Sequence, residues 1–288
     1  MHRPLPTVTC IGELLWDVLP SGRALGGAPA NVAFHLRQLG LPVRLVTRLG
    51  RDELGTAARD ALREHGLPVD DVQWDDSLPT GAAHVTLDAA GQASYRFVTP
   101  AAFDAIEAPD FAPEIVVFGS LAQRDKRSAA ALQAFVERAS LRVYDVNLRP
   151  PFTNLETVRR SLPRANLVKA NADEAALLAE AFSLPTDLRD FAAALAASYG
   201  TELVCITRGA SGAALWRRGE WVESAGVTID AVDTVGAGDA FLAALVHGWA
   251  TGLATGVLLQ RANQMGAYVA GRRGAMPVHP RDGGPAKD

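Results

Sequence analysis

The stretch AVDTVGAGDAFLAALVHG, residues 231–248, combines two aspartates, Asp233 and Asp239, with a run of small residues and then an almost wholly apolar helical pattern. An extended segment feeding a tight turn would leave the N–H groups of Gly236, Ala237 and Gly238 pointing outward at a helix start. Such a nest attracts an anion, and the missing side chains let phosphate oxygens approach the backbone. Asp239 would then stand beside a bound phosphate, a placement that ground-state electrostatics disfavours. It makes sense if the carboxylate takes a proton from a hydroxyl about to attack that phosphate. As charge builds on the moving phosphoryl group, fixed N–H groups stabilise it without reorganising. The plainer reading of the same residues is an acidic cap after a glycine-rich turn. Two other phosphate-binding patterns fail. GRDELGT, residues 50–56, has Thr56 where a P-loop needs lysine, and Phe241 stands where a dinucleotide fingerprint needs its third glycine.

Further polar groups fall where strands should end. Asp17 follows the first apolar run, and a carboxylate there can accept two hydrogen bonds from vicinal hydroxyls. Asn31 offers both a donor and an acceptor, while Gly26 and Gly27 bring backbone close to a ligand. DVNLRPPF, residues 145–152, closes a strand with polar groups, so Asn147 and Arg149 are expected to face a cleft at the carboxyl edge of a parallel sheet. Arg149 there could clamp a phosphoryl group or a substrate carboxylate, or form a surface ion pair. The six histidines show no metal-ligand spacing, and His35 and His247 read as packing or surface residues.

The elements that must hold these groups alternate along the chain. Strands are expected at residues 7–14, 43–49, 114–119, 142–146, 166–170 and 202–207. Helices are expected near 29–39, 53–65, 127–139, 173–182, 187–198 and 255–271. This alternation predicts an α/β fold with a mostly parallel central sheet and helices on both faces. Residues 80–98 and 213–223 break the pattern as hairpins, the second turning at Arg218–Gly219. A single domain over residues 1–278 is expected, with small β-lid elements from about 13–25 and 80–98 and a frayed tail over 279–288.

Composition narrows the class of protein. The chain has 288 residues, 48% of them apolar and 21% charged, with a formal net charge of −4, which suits a globular protein with a sizeable core. No dense Lys/Arg run is present, which argues against nucleic acid as a partner. The N-terminus lacks a signal-peptide pattern and no long uncharged apolar stretch suggests a membrane span, so a cytoplasmic protein is expected. Cys10 and Cys205 lie inside strand-like runs and read as buried structural thiols.

DTVGAGDAFLAAL resembles the C-terminal signature of the ribokinase-like (PfkB) carbohydrate kinases, and GGAPANVAFHLRQLG, residues 26–40, resembles their N-terminal Gly-Gly signature. The likeness covers about residues 8–278. It implies a three-layer sandwich with a β-lid and phosphorylation of a sugar hydroxyl by ATP with Mg2+. Asp239 matches the catalytic base, and Gly236, Ala237 and Gly238 match the anion hole. Asp233 matches a carboxylate that helps hold a monovalent cation such as K+. KANADE, residues 169–174, matches the N-x-x-E motif. It puts Lys169 and Asn171 on the nucleotide side and Glu174 on Mg2+ through water. Thr207, Gly209 and Gly212 match the nucleotide-side loop, and Asn263 lies where the adenine pocket is expected. The family position also assigns Asp17, Gly26, Gly27 and Asn31 to the sugar.

GSLAQR, DVNLRPPF and PAAFDAI look most like the fructokinase branch, which implies transfer to the 6-hydroxyl of fructose. Only residues 18–25 separate Asp17 from Gly26, a shorter lid segment than in many members, which leaves open whether the protein is a homodimer. Arg96 sits near the lid, either as an exposed hairpin residue or facing an acidic sugar such as 2-keto-3-deoxygluconate. Ribose or a nucleoside are further acceptors to weigh. A non-catalytic sugar or nucleotide sensor is the rival from another class.

Overall fold

In a computed structural model, which describes residues 4–19, 22–87 and 93–280, the short aliphatic runs become strands and the amphipathic stretches between them helices. The chain begins with β1 (Val8–Ile11), β2 (Leu15–Leu19), β3 (Gly22–Gly26), α1 (Ala28–Gln38), β4 (Val43–Gly50) and α2 (Glu53–Glu64). It continues with β5 (Val72–Asp75), β6 (Gly81–Leu87), β7 (Ala93–Phe97), β8 (Ile115–Gly119), α3 (Lys126–Glu137) and β9 (Leu141–Asp145). Then follow α4 (Leu155–Ser161), β10 (Leu167–Asn171), α5 (Ala172–Phe182), α6 (Leu188–Tyr199) and β11 (Leu203–Thr207). The last elements are β12 (Ala213–Arg217), β13 (Glu220–Ser224), α7 (Ala237–Ala250) and α8 (Thr255–Ala270).

One large sheet has the order β13-β12-β11-β10-β9-β8-β1-β4-β5. Neighbours from β11 to β5 pair in parallel, and β12 and β13 add an antiparallel edge. Successive strand residues face opposite sides, so the sheet feeds two cores. Val8, Cys10, Val117, Leu203 and Cys205 pack with α1, α2, α7 and α8 on one side. Ile11, Val116, Phe118, Val204 and Ile206 pack with α3, α5 and α6 on the other. Helix α7 lies almost wholly inside. Its Leu242 and Leu245 are fully buried, each contributing about 1.5–3 kcal/mol by leaving water. The two cysteines are buried free thiols, four strand spacings apart on β1 and β11. No helix among the described residues is long and apolar enough to cross a membrane.

A second, four-stranded sheet has the order β3-β2-β6-β7. It joins two antiparallel hairpins through the parallel pair β2–β6, with Leu15 opposite Gly81. The segments expected to form a lid make this sheet, and the turn of the β6–β7 hairpin lies outside the described residues. At the β12–β13 hairpin, Arg218 and Gly219 both take positive φ, 49° and 91°, the geometry that suits the twist of the flanking strands.

The elements differ from expectation in the following places. The strand expected over residues 7–14 stops at Ile11, because Gly12 turns the chain (φ 154°) and the next strand belongs to the small sheet. Strand β5 and helix α4 were not expected; β5 has only four residues, too few for periodicity to register. Of the tail expected over residues 279–288, His279 stacks on His35 at 5.1 Å and shares a 2.9 Å hydrogen bond with it, and residues 281–288 lie outside the described residues.

Candidate active site

Two helices meet at their first turns, and both start at a glycine. Helices α2 to α6 carry side-chain caps, supplied by Asp52, Asp125, Asn154, Asn171 and Asp187. Helices α1 and α7 have none; their N-cap residues are Gly27 (φ 123°) and Gly236 (φ 77°). Glycine is required at both. A Cβ on Gly27 would lie 2.5 Å from the Glu13 carbonyl oxygen, and one on Gly236 would lie 2.5 Å from Ala275 Cβ. The amides of the α7 turn therefore lack the side-chain acceptor that most helix starts here possess. Among the described residues Gly236 and Gly238 donate to no protein acceptor, whereas the Ala237 amide reaches the Thr234 carbonyl at 3.2 Å. Ala237, expected to share fully in an anion hole, is thus partly used by the turn itself.

Asp239, in the first turn of α7, meets the first turns of α1. Asn31 Nδ2 donates to Asp239 Oδ2 at 2.7 Å, both residues being buried. Burial pushes the Asp239 carboxyl up to about 6; the Asn31 bond pulls it back and Asp145 adds to the rise. A carboxylate with that value is poised near neutral pH as a proton acceptor. Asn31 Oδ1 is buried without a partner, an acceptor left for another group.

The carboxyl ends of β9 and β10 bring Asp145 and Lys169 next to this pair. Lys169 and Asp145 are register neighbours on β10 and β9, and Lys169 Nζ donates to the two Asp145 oxygens at 2.9 and 3.2 Å. Strand parity puts Lys169 on the face that carries Leu167, beneath α7, where a methyl group on Gly238 would come 3.6 Å from Nζ. Burial works against the ammonium charge, but Asp145 and Glu174 outweigh it and hold the Lys169 pKa above its ordinary value. Glu174 accepts from the amides of Leu148 (2.8 Å) and Asn171 (2.9 Å). Asn171 returns the bond to the Glu174 amide at 2.8 Å, closing a capping box. Burial first, then Asp145, raise the Glu174 pKa.

Glu13 was missed in the sequence because it sits inside an apolar run. It is 4% exposed with Oε2 unpartnered, and burial pushes its carboxyl up to about 7 against the pull of its own amide and Arg149. Asp145 was likewise passed over as a strand end.

On the lid side, Asp17 lies on β2 opposite Ala24, and its carboxylate packs where a Gly26 side chain would stand, 2.8 Å from that Cβ position. Burial raises its pKa, and Arg149 lowers it in part. The field of Arg149 also reaches Glu13 and Asp239. Arg149 is exposed and forms no ion pair among the described residues; its side chain donates to the Leu148 carbonyl at 3.3 Å. Asn147 before it has φ 38°, which turns the chain at the strand end. Arg96 is exposed on β7 opposite His84, away from this cluster in hydrogen bonding.

The remaining residues gather around the β11–β13 end. Thr207 closes β11, and Gly209 and Gly212 (φ 56° and 90°) shape the loop after it. A Cβ on Gly212 would run into the Ser224 carbonyl, so this loop packs directly on the one after β13. Asn263 of α8 donates to the carbonyls of Ser224 (3.2 Å) and Ala225 (3.3 Å). Beside it lies a half-open cavity of about 360 Å³ lined by Val222, Ser224, Ala225, Val227, Gln260 and Asn263. Asp233 caps the amides of Val235 and Gly274, both at 3.0 Å, tying the segment before α7 to the one after α8. No group of three His, Cys, Asp or Glu side chains suited to a metal ion occurs among the described residues.

Comparison with known proteins gives the same outline. The model of the pfkB family carbohydrate kinases matches residues 21–281. A fructokinase of Escherichia coli is 29% identical over 298 aligned positions, covering 95% of this chain and 96% of that protein. The crystal structure of a Xylella fastidiosa fructokinase with bound ATP superposes with a TM-score of 0.84 at 26% identity, covering 95% of each chain. An aminoimidazole riboside kinase of Salmonella enterica, solved with aminoimidazole riboside and an ATP analogue, gives 0.79 at 26% identity, covering 95% of this chain and 96% of that one.

Proposed function

The chain belongs to the pfkB family of carbohydrate kinases, and from that premise we propose that it transfers the γ-phosphoryl group of ATP to a primary hydroxyl of a monosaccharide, with fructose the preferred acceptor. It is a carbohydrate kinase, a phosphotransferase with an alcohol acceptor, and resembles the fructokinases among its relatives. The observation that carries the reading is the meeting of Asn31 and Asp239 at two uncapped, glycine-started helix ends.

In this reading Asp239 accepts the proton of the attacking hydroxyl while Asn31 fixes its orientation through Oδ2. The free Asn31 Oδ1 and the Asp17 carboxylate bind other sugar hydroxyls, with Gly26 and Gly27 allowing close approach. The amides of Gly236 and Gly238 stabilise charge on the transferring group, and Lys169 beneath them adds a positive field rather than a direct nucleotide contact. Arg149, free of carboxylate partners among the described residues, clamps the phosphoryl group. The cavity beside Asn263 takes the nucleotide base, with Thr207, Gly209 and Gly212 along its approach.

Mg2+ would neutralise phosphate charge when bound. Its ligands would be phosphate oxygens and water, with Glu174 reached through water. A monovalent cation would sit by Asp233, whose carboxylate already orders the flanking backbone.

The test is ADP release over a panel of fructose, ribose, 2-keto-3-deoxygluconate and a nucleoside, with Mg2+ and ATP. The highest kcat/KM is expected with fructose. A higher value for another member reassigns the acceptor, and no release with any of them favours a non-catalytic sensor.

A further inference from the structure

The site described above leaves one buried cation unused. The Arg124 side chain is 5% exposed and pairs bidentately with that of Asp104, 2% exposed, through Nε (2.7 Å) and Nη2 (2.9 Å). Its Nη2 also donates to the Val98 carbonyl at 3.0 Å, just past the end of β7 in the small sheet. The guanidinium carbon lies 4.4 Å from the Phe103 ring centroid and 4.5 Å from that of Phe152. Phe152 in turn meets Phe97 of β7 edge-on at 5.4 Å. Arg124 therefore joins the small sheet's exit to the loop that carries Arg149.

That loop is held at two points. At its start the Leu148 amide is bound by Glu174 at 2.8 Å, and at its end Phe152 donates its amide to the Arg149 carbonyl at 2.8 Å. Between these lies Arg149, exposed and with only a weak bond to its neighbour's carbonyl. The direction of its side chain is then set by the backbone turn, and the Phe152 end of that turn rests on Arg124 and Phe97. Arg124 Nη1 is buried without an acceptor, so two of the five guanidinium donors are unpaired in this arrangement.

Resting on the placement of Arg149 beside the transferring group, we propose that Arg124 is a positioning residue, which couples the exit of the small sheet to the orientation of Arg149 through Phe152. A planar, bidentate cation is needed for this, since lysine supplies neither the fork toward Asp104 nor a flat face for two rings.

A double-mutant cycle on the full chain tests it, using R124K, R149A and both together, with kcat and the KM values for sugar and ATP measured beside Tm. Arg124→Lys should lower kcat by about ten- to a hundredfold, as a misplacement on the order of an ångström does, while the KM for ATP stays in place. In the R149A background the same change should lower kcat little further. Phe152→Leu, which leaves the Arg124–Asp104 pair intact, should show the same loss and the same dependence on Arg149. Effects that multiply instead of merging overturn the coupling while leaving the Arg149 assignment standing. An R149A enzyme with unchanged kcat removes that assignment, and this inference with it.

Discussion

At the scale of single residues, the site turns on a carboxylate that burial has made a better base. Asp239 would be a weak proton acceptor in water, and its rise to about 6 comes first from desolvation, moderated by the Asn31 bond. Replacing it with asparagine should cut kcat by about 10²–10⁴-fold while ATP affinity changes little. An Asp239→Asn enzyme with near-normal turnover in a coupled ADP assay would remove the base role. The parent kcat/KM should also fall as pH drops through about 6, where Asp239 takes up a proton and can no longer accept one from the sugar. Asp239 and the glycines before it stand out in the sequence because their types and spacing are local. Glu13, Asp145 and Arg124 do not. Each is an ordinary charged residue beside apolar neighbours, and only their burial and partners give them weight.

At the scale of elements, glycine fixes how the two helices of the candidate site begin. Gly236 lets α7 begin in a left-handed turn against Ala275 and leaves its amides without a side-chain acceptor. Gly236→Ala would add a methyl group 2.5 Å from Ala275 Cβ at a φ of 77°. The expected cost is about 1–3 kcal/mol of stability, with a raised KM for ATP; a variant with parental Tm and KM would contradict the tight packing. The elements themselves were largely legible. Runs such as VRLVTRL and ELVCIT are strands because β-branched residues alternate into two cores, and the helix around residues 53–64 shows a clear apolar face. What escaped was short or set by contacts: β5, α4 and the early stop of β1 at Gly12.

At the scale of the whole molecule, two buried groups give stability opposite dependences on pH. His35 is fully buried between the Ala275 carbonyl and His279, and burial first, with His279, lowers its pKa to about 4 from 6.5. Its folded pKa is depressed, so between pH 6.5 and about 4 the unfolded chain binds more protons and stability falls on acidification. Glu13 has the reverse sign. Raised from 4.5 to about 7, it contributes stability that is complete below 4.5 and lost as pH rises through about 7. Glu13→Gln should therefore match the parent near pH 5 and gain on the order of 1–3 kcal/mol at pH 8, several degrees in Tm. A Tm difference equal at both pH values would show that the Glu13 pKa is the same in the folded and the unfolded chain, so that burial does not raise it.

The sequence alone determined the α/β alternation, the two glycine-led helix starts and the candidate base, because each rests on neighbours within a turn or a strand. Only the tertiary structure decided which groups meet. Asn31 and Asp239 are 208 positions apart yet share a 2.7 Å hydrogen bond, and strand register pairs Lys169 with Asp145. Such pairings depend on how the two helices and the parallel strands converge, and the shifted ionisation of the buried groups depends on the water that packing removes.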